Sequence, residues 1–377
     1  MDSDALLNTY IDLNLLLLAG AMIWLALRWG LARIGLGAAF LPQLRLMNWM
    51  IIILALSPVF ASAVSHWIVA RPPNLSDMLV SQYLQGNVQM SASDFEALLG
   101  AREEGVRALL SMQSVGAKAL LAGFFLGALF CFGQTALAVI RLRNIVSRAF
   151  HWKRIGTVNL MFSDTAKVAF STRGLFKRYV ILPSTLLQSP KDLRLTISHE
   201  IQHFRQRDIE FELLLEVLRP MLWWNPAFHI WRREVRQMRE YACDQALISR
   251  PNFDARAYCE CLIRACTVAA QERAYFTRRT PAVALVDRRE TRRSSSLYRR
   301  ILHVADGAGR PGSRASWTMV SCLLVFAVFS TAVMIQRPAE WSHDRIMLST
   351  VVNLERMAKR SEPPVSPFQG GFVGVTD

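Results

Sequence analysis

Two histidines four residues apart with a glutamate beside the first, His199-Glu200-Ile201-Gln202-His203, are the residues best suited to chemistry in this chain. On a helix, positions i and i+4 share one face. Two imidazoles placed that way reach one Zn2+, and the carboxylate between them is set to work on a bound water. Zinc brings the pKa of its water towards ~7 and polarises a carbonyl. Glu200 would then pass the water proton to a leaving amine, which is peptide hydrolysis. Catalytic zinc usually has three protein ligands, and the candidate for the third is Glu240, in Arg239-Glu240-Tyr241-Ala242-Cys243-Asp244. Asp244, one helical turn on, and Asp208, five residues after His203, are candidates to orient a histidine through its free ring nitrogen. The alternative for Glu240 and Asp244 is pairing with Arg232, Arg233, Arg236 and Arg239. Tyr241 and His229 are candidates for stabilising an oxyanion, an interface position beside Trp231 being the alternative for His229.

The elements that must hold these groups are readable around them. Ser189-Pro190-Lys191-Asp192 predicts a helix start, with Ser at the N-cap, Pro first inside and an acid in the first turn. No Gly or Pro interrupts that helix before Pro220, and a second helix is expected after Asn225-Pro226. Upstream, Val158–Phe162, Lys167–Ser171 and Tyr179–Leu182 predict a small antiparallel sheet, whose edge could take a substrate as an added strand. Between the two helices, Leu213–Trp231 is apolar and broken by Pro220 and Pro226. It predicts a helical hairpin dipping into or lying on a membrane, burial in a soluble core being the alternative.

At 52% hydrophobic residues, 19% charged and a mean hydropathy of +0.22, the chain is too apolar for an ordinary soluble domain. Four runs can cross a bilayer, at about 13–31, 49–70, 119–140 and 316–336, with Trp29, Trp49, Trp67 and Trp317 near their ends. The acidic start Met1-Asp2-Ser3-Asp4 does not read as a signal peptide. Of the 44 Lys and Arg residues, 32 lie between Arg141 and Arg314, against 16 acids. The positive-inside rule puts that segment in the cytoplasm and the N-terminus, the loop 71–118 and the tail 337–377 outside. The expected organisation is a membrane region over 1–140, a cytoplasmic metallopeptidase domain over 141–270, a basic exposed linker over 271–315, the fourth span and a short tail. The tail alone is too short for a substantial domain. The basic charge faces anionic lipid, and direct nucleic-acid binding is not expected. The cysteines lie in spans or on the cytoplasmic side, so disulfides are not expected. Cys259, Cys261 and Cys266 read as small buried residues rather than as a second metal site.

Taken together, His199-Glu200-x-x-His203-x-x-x-x-Asp208, Asn225-Pro226, Arg239-Glu240-x-Ala242-Cys243-Asp244 and the strand Val180-Ile181-Leu182-Pro183 resemble the BlaR/MecR-type antirepressor membrane metallopeptidases of bacteria. The resemblance implies an α-helical multi-pass membrane protein of the bacterial plasma (inner) membrane, with a cytoplasmic α+β gluzincin-like zinc metallopeptidase domain. It implies His199, His203 and Glu240 as Zn2+ ligands and Glu200 as general base. It implies signalling by proteolysis, through self-cleavage of the linker between Thr277 and Arg300 or loss of a transcriptional repressor. The partners are then a protein substrate, the lipid bilayer and, in some settings, a second copy as homodimer. Antibiotic-sensing members carry a penicillin-binding domain after the last span; the chain is not expected to hold one, so direct β-lactam sensing is not expected. Rival readings are a housekeeping membrane zinc peptidase and a non-catalytic membrane receptor or scaffold.

Overall fold

The computed structural model describes residues 3–67, 75–174, 176–271, 282–284, 294–307, 313–335 and 343–361. Contacts divide the chain into two units: Met1–Asp12, Pro58–Lys118 and Ser330–Asp377 in one, Leu13–Ser57 and Ala119–Phe329 in the other. In chain order the helices are α1 (Ser3–Arg33), α2 (Phe40–Trp67), α3 (Leu75–Leu84), α4 (Ala92–Ser111), α5 (Val115–Arg148), α6 (Pro190–Gln206), α7 (Asp208–Leu222), α8 (Pro226–Ile248), α9 (Ala255–Gln271), α10 (Ser294–Ala305), α11 (Arg314–Ile335) and α12 (His343–Ser361). The strands are β1 (Phe150–Ile155), β2 (Val158–Ser163), β3 (Phe170–Arg173), β4 (Arg178–Pro183) and β5 (Ala282–Ala284). Among the described residues four helical stretches are long and apolar enough to cross a membrane: Leu6–Arg33, Phe40–Pro58, Val115–Arg148 and Arg314–Ile335.

In the first unit, α12 packs against α3 and α4. Val80, Ala92, Phe95, Leu348 and Val352 form its core, and Tyr83 stacks on Phe95 at 4.2 Å. Arg356 pairs with Glu96 at 2.6 Å. The segments expected as outer loop and tail thus carry helices that share one core. Each segment alone has too little apolar surface to stay folded, and they bury it by sharing one core.

In the second unit the strands form one sheet in the order β1-β2-β4-β3-β5. The sheet is mixed, which corrects the antiparallel expectation: β4 returns from the β3 hairpin into the gap between β2 and β3, so it runs parallel to β2. Lys167 precedes β3, which starts at Phe170, and β1 is a fully exposed strand that the sequence reading did not include. Val180, Ile181 and Leu182 are all buried because both faces of β4 are covered. Leu193 and Phe204 of α6 and Ile209 of α7 cover one face, and Leu142 of α5 covers the other.

The hairpin over Leu213–Trp231 is present as the end of α7 and the start of α8, joined by Trp223 and Trp224. Asn225 caps α8, its side-chain oxygen accepting from the Ala227 N–H, while its Nδ2 donates to the Asn14 side chain of α1 at 2.9 Å. The Trp223 ring lies against α5 where only a glycine fits, since a Cβ at Gly127 would fall 2.2 Å from it. Gly127→Val is therefore expected to displace Trp223 and destabilise the protein by about 1–3 kcal/mol. Thermal unfolding in detergent checks this, and an unchanged midpoint refutes it.

The segment expected as an exposed linker is corrected in its described parts. Ala282–Ala284 is paired to β3, and α10 contributes Val304 to a core with Leu247, Tyr258 and Leu262. Backbone pairing to β3 and a packed helix face outweigh the arginine-rich composition. Residues 272–281 and 285–293, which hold most of the candidate self-cleavage region, lie outside the described residues.

Candidate metal centre

Helix α6 starts where the sequence predicts, with Ser189 accepting from the Asp192 N–H and Pro190 first inside. It buries His199, Glu200 and His203 completely. It ends at Arg207, whose φ of +61° is a left-handed conformation usually taken by glycine. That sharp reversal starts α7 at once and sets Asp208 beneath His203. The Asp208 Oδ2 lies 2.7 Å from His203 Nδ1, so the ring donates through Nδ1 and turns the Nε2 lone pair inward.

His199 is held differently from the expectation. Asp244 is 3.6 Å from His199 Nδ1, and the nearer partner is the Tyr258 hydroxyl of α9, at 2.8 Å. Tyr258 donates to Asp244 and accepts from His199, so Asp244 acts on the ring through a phenol. The sequence reading missed Tyr258 because nothing local marks it: α9 meets α6 only in the folded chain. Both histidines thus present Nε2 lone pairs, 3.1 Å apart. Two acceptors cannot bond to each other. The gap matches two nitrogens of a tetrahedral zinc site, for which Zn–N bonds near 2.0–2.1 Å give about 3.3 Å.

Two side chains offer a third donor. Glu240 places Oε2 at 3.5 Å from His199 Nε2 and Oε1 at 3.9 Å from His203 Nε2. Cys243 forms a group with the two histidines in which all ligand atoms lie within 4.8 Å. Its Sγ lies 3.5 Å from the His199 carbonyl as donor, and burial pushes its thiol pKa well up, with Asp244 and Glu240 adding to the effect. Glu240 and Cys243 are thus both within reach of the two imidazoles.

The electrostatics suit a cation. Burial, then His203 and Arg300, hold the His199 pKa well below its usual value. Burial works the same way on His203, but Asp208 and Glu240 outweigh it and raise its pKa. Four carboxylates, Glu200, Asp208, Glu240 and Asp244, surround the imidazole pair. Glu200 accepts a short hydrogen bond from Ser171 of β3, and burial pushes its pKa up to about 7. The acids Glu240 and Asp244 find a partner from outside α8. Arg232, Arg236 and Arg239 turn to Glu212, and both acids meet Arg300 instead. Among the described contacts, Tyr241 packs on Phe40 and His303, and His229 pairs with the Trp223 carbonyl. Neither contact reaches the histidine pair.

Asp208→Asn removes the charge behind His203. It is expected to weaken metal binding by about 10- to 100-fold, measured with Zn2+ as the probe by competition with a chromophoric chelator; unchanged affinity would refute that role.

Two buried histidines on α6 beside the sheet, in a chain with four candidate spans, are what a membrane metallopeptidase requires. The chain belongs to the family described as BlaR1 peptidase M56, which it matches over residues 10–290. It is similar to the "Methicillin resistance mecR1 protein" of Staphylococcus aureus and of Staphylococcus epidermidis, in each case 26% identical over 110 residues. Those residues are 29% of this chain and 18% of the length of those relatives.

Proposed function

We propose that the chain is a gluzincin-like zinc metalloendopeptidase, with His199, His203 and Glu240 as ligands and Glu200 as general base, acting in transmembrane signalling by proteolysis. Bound zinc would supply an acidified water and a polarised carbonyl. Glu200 takes the proton of the attacking water and delivers it to the leaving amine. Asp208 and the Tyr258–Asp244 pair hold the two imidazoles so that Nε2, not Nδ1, faces the centre.

The observation that carries this reading is β5. Val283 pairs with Ser171, the residue whose hydroxyl donates to Glu200. A piece of the chain's own linker thus lies as an added strand on the edge next to the general base, the place a peptide substrate would take. The chain's own linker is therefore the first substrate, and a cytoplasmic transcriptional repressor, as the family relationship suggests, a second. The membrane region over 1–140 and the cytoplasmic placement of the peptidase belong to the same proposal. The reading is tested by intact-mass measurement on membranes with zinc and after chelation. A cut close to Val283 that appears only with zinc supports it. Identical cutting in both samples, or purified protein devoid of zinc after zinc-replete expression, overturns it.

A further inference from the structure

Arg300 belongs to no motif of the metal centre, yet it is completely buried. Arginine is buried to that degree only where its charge and its donors are met. Its Nε and Nη2 fork onto the Asp244 carboxylate at 2.6 and 2.9 Å. Nη2 also lies 3.4 Å from the Tyr258 hydroxyl, and Nη1 lies 3.1 Å from Glu240 Oε2. One planar group therefore touches Glu240 and also the Asp244–Tyr258 pair that backs His199.

We infer that Arg300 is a positioning residue of the metal centre, holding Glu240 and the Asp244–Tyr258 pair in register so that the centre is complete only when α10 is seated. The inference rests on the three-ligand reading proposed above. Glu240 and Asp244 stand one turn apart on α8, and two carboxylates so close repel each other. The Glu240 side chain, 14% exposed, meets Arg300 at Oε2. A guanidinium between them removes the repulsion and fixes both orientations through its rigid fork. The helix that supplies it is firmly placed. Val304 sits in the core with Leu247 and Leu262, and the His303 ring lies edge-on to Phe40 at 4.9 Å and to Tyr241 at 4.8 Å. In chain order Arg300 follows β5, so a cut near Val283 would separate it from the covalent chain that carries the histidines.

The test uses full-length protein in detergent and reads the metal rather than activity. Zinc affinity is measured by chelator competition, and the Co2+-substituted protein by its visible absorption. Arg300→Ala and Arg300→Lys are each expected to raise the zinc Kd by about 10- to 100-fold and to change the Co2+ spectrum. Lysine keeps the charge but cannot bridge both carboxylates. If Arg300→Ala does not fold, Arg300→Lys decides. A folded Arg300 variant with the Kd and Co2+ spectrum of the wild type overturns the inference while the three-ligand reading stands. A wild-type protein that binds no zinc overturns that reading itself.

Discussion

Glu200→Gln is expected to lower peptide-bond cleavage by about 100- to 10,000-fold, the range by which a positioned general base accelerates such a reaction. The substitution is nearly isosteric, and the amide oxygen can still accept from the Ser171 hydroxyl, so the fold and the zinc content are expected to match wild type. Only the capacity to hold a proton between water and leaving amine is lost. Cleavage of the chain's own linker and of an added peptide would both be followed, with zinc measured on the same samples. A variant that cuts within about threefold of the wild-type rate would remove Glu200 from the mechanism and revive the non-catalytic reading. The pH dependence has a definite sign. As the general base Glu200 would work as its anion, so kcat/KM would fall as pH drops through its pKa. Burial puts that pKa at about 7, and a cation at the histidine pair pulls it down. The acid limb is therefore expected at or below about pH 7.

The second large effect is on stability. Glu212 is buried and meets three guanidinium groups, Arg232 at 2.8 Å, Arg236 at 2.7 Å and Arg239 at 3.0 Å. Removing one member of a buried ionic cluster leaves the others desolvated and uncompensated, at a cost of about 3–5 kcal/mol. Glu212→Ala is expected to lower the thermal midpoint sharply, Glu212→Gln less, because its amide oxygen still accepts hydrogen bonds. Burial alone would raise the Glu212 pKa, but Arg236, Arg239 and Arg232 outweigh it and hold it well below the usual value. Its contribution is thus fully present above the ordinary glutamate pKa of about 4.3 and is lost only as pH falls through the depressed native value. The wild-type and variant midpoints should converge in strong acid. Equal midpoints at neutral pH would show that the cluster contributes nothing. The network reaches further than α7 and α8: Glu216 pairs with Arg219 at 3.0 Å, and Arg219 donates to Gln134 of α5, also at 3.0 Å.

The sequence by itself determined the features that depend on near neighbours in the chain. The four-residue spacing of His199 and His203, the cap at Ser189-Pro190 and the start of α8 at Asn225-Pro226 are local, and each stands where it was expected. Long apolar runs set the four candidate spans for the same reason, since backbone groups in lipid must be satisfied within one segment. Tertiary structure alone decided which partners stand behind the imidazoles. Tyr258 and Arg300 come from α9 and α10, 59 residues beyond His199 in one case and 56 beyond Asp244 in the other. No periodicity or motif marks them. The strand order had the same origin, because β4 lies between β2 and β3 and pairs with one in parallel and the other antiparallel, a choice that no local pattern encodes. Linker composition misled for a related reason. An arginine-rich stretch reads as solvated chain, but burial depends on whether partners of opposite charge lie across the fold, and for Arg300 they are Asp244 and Glu240.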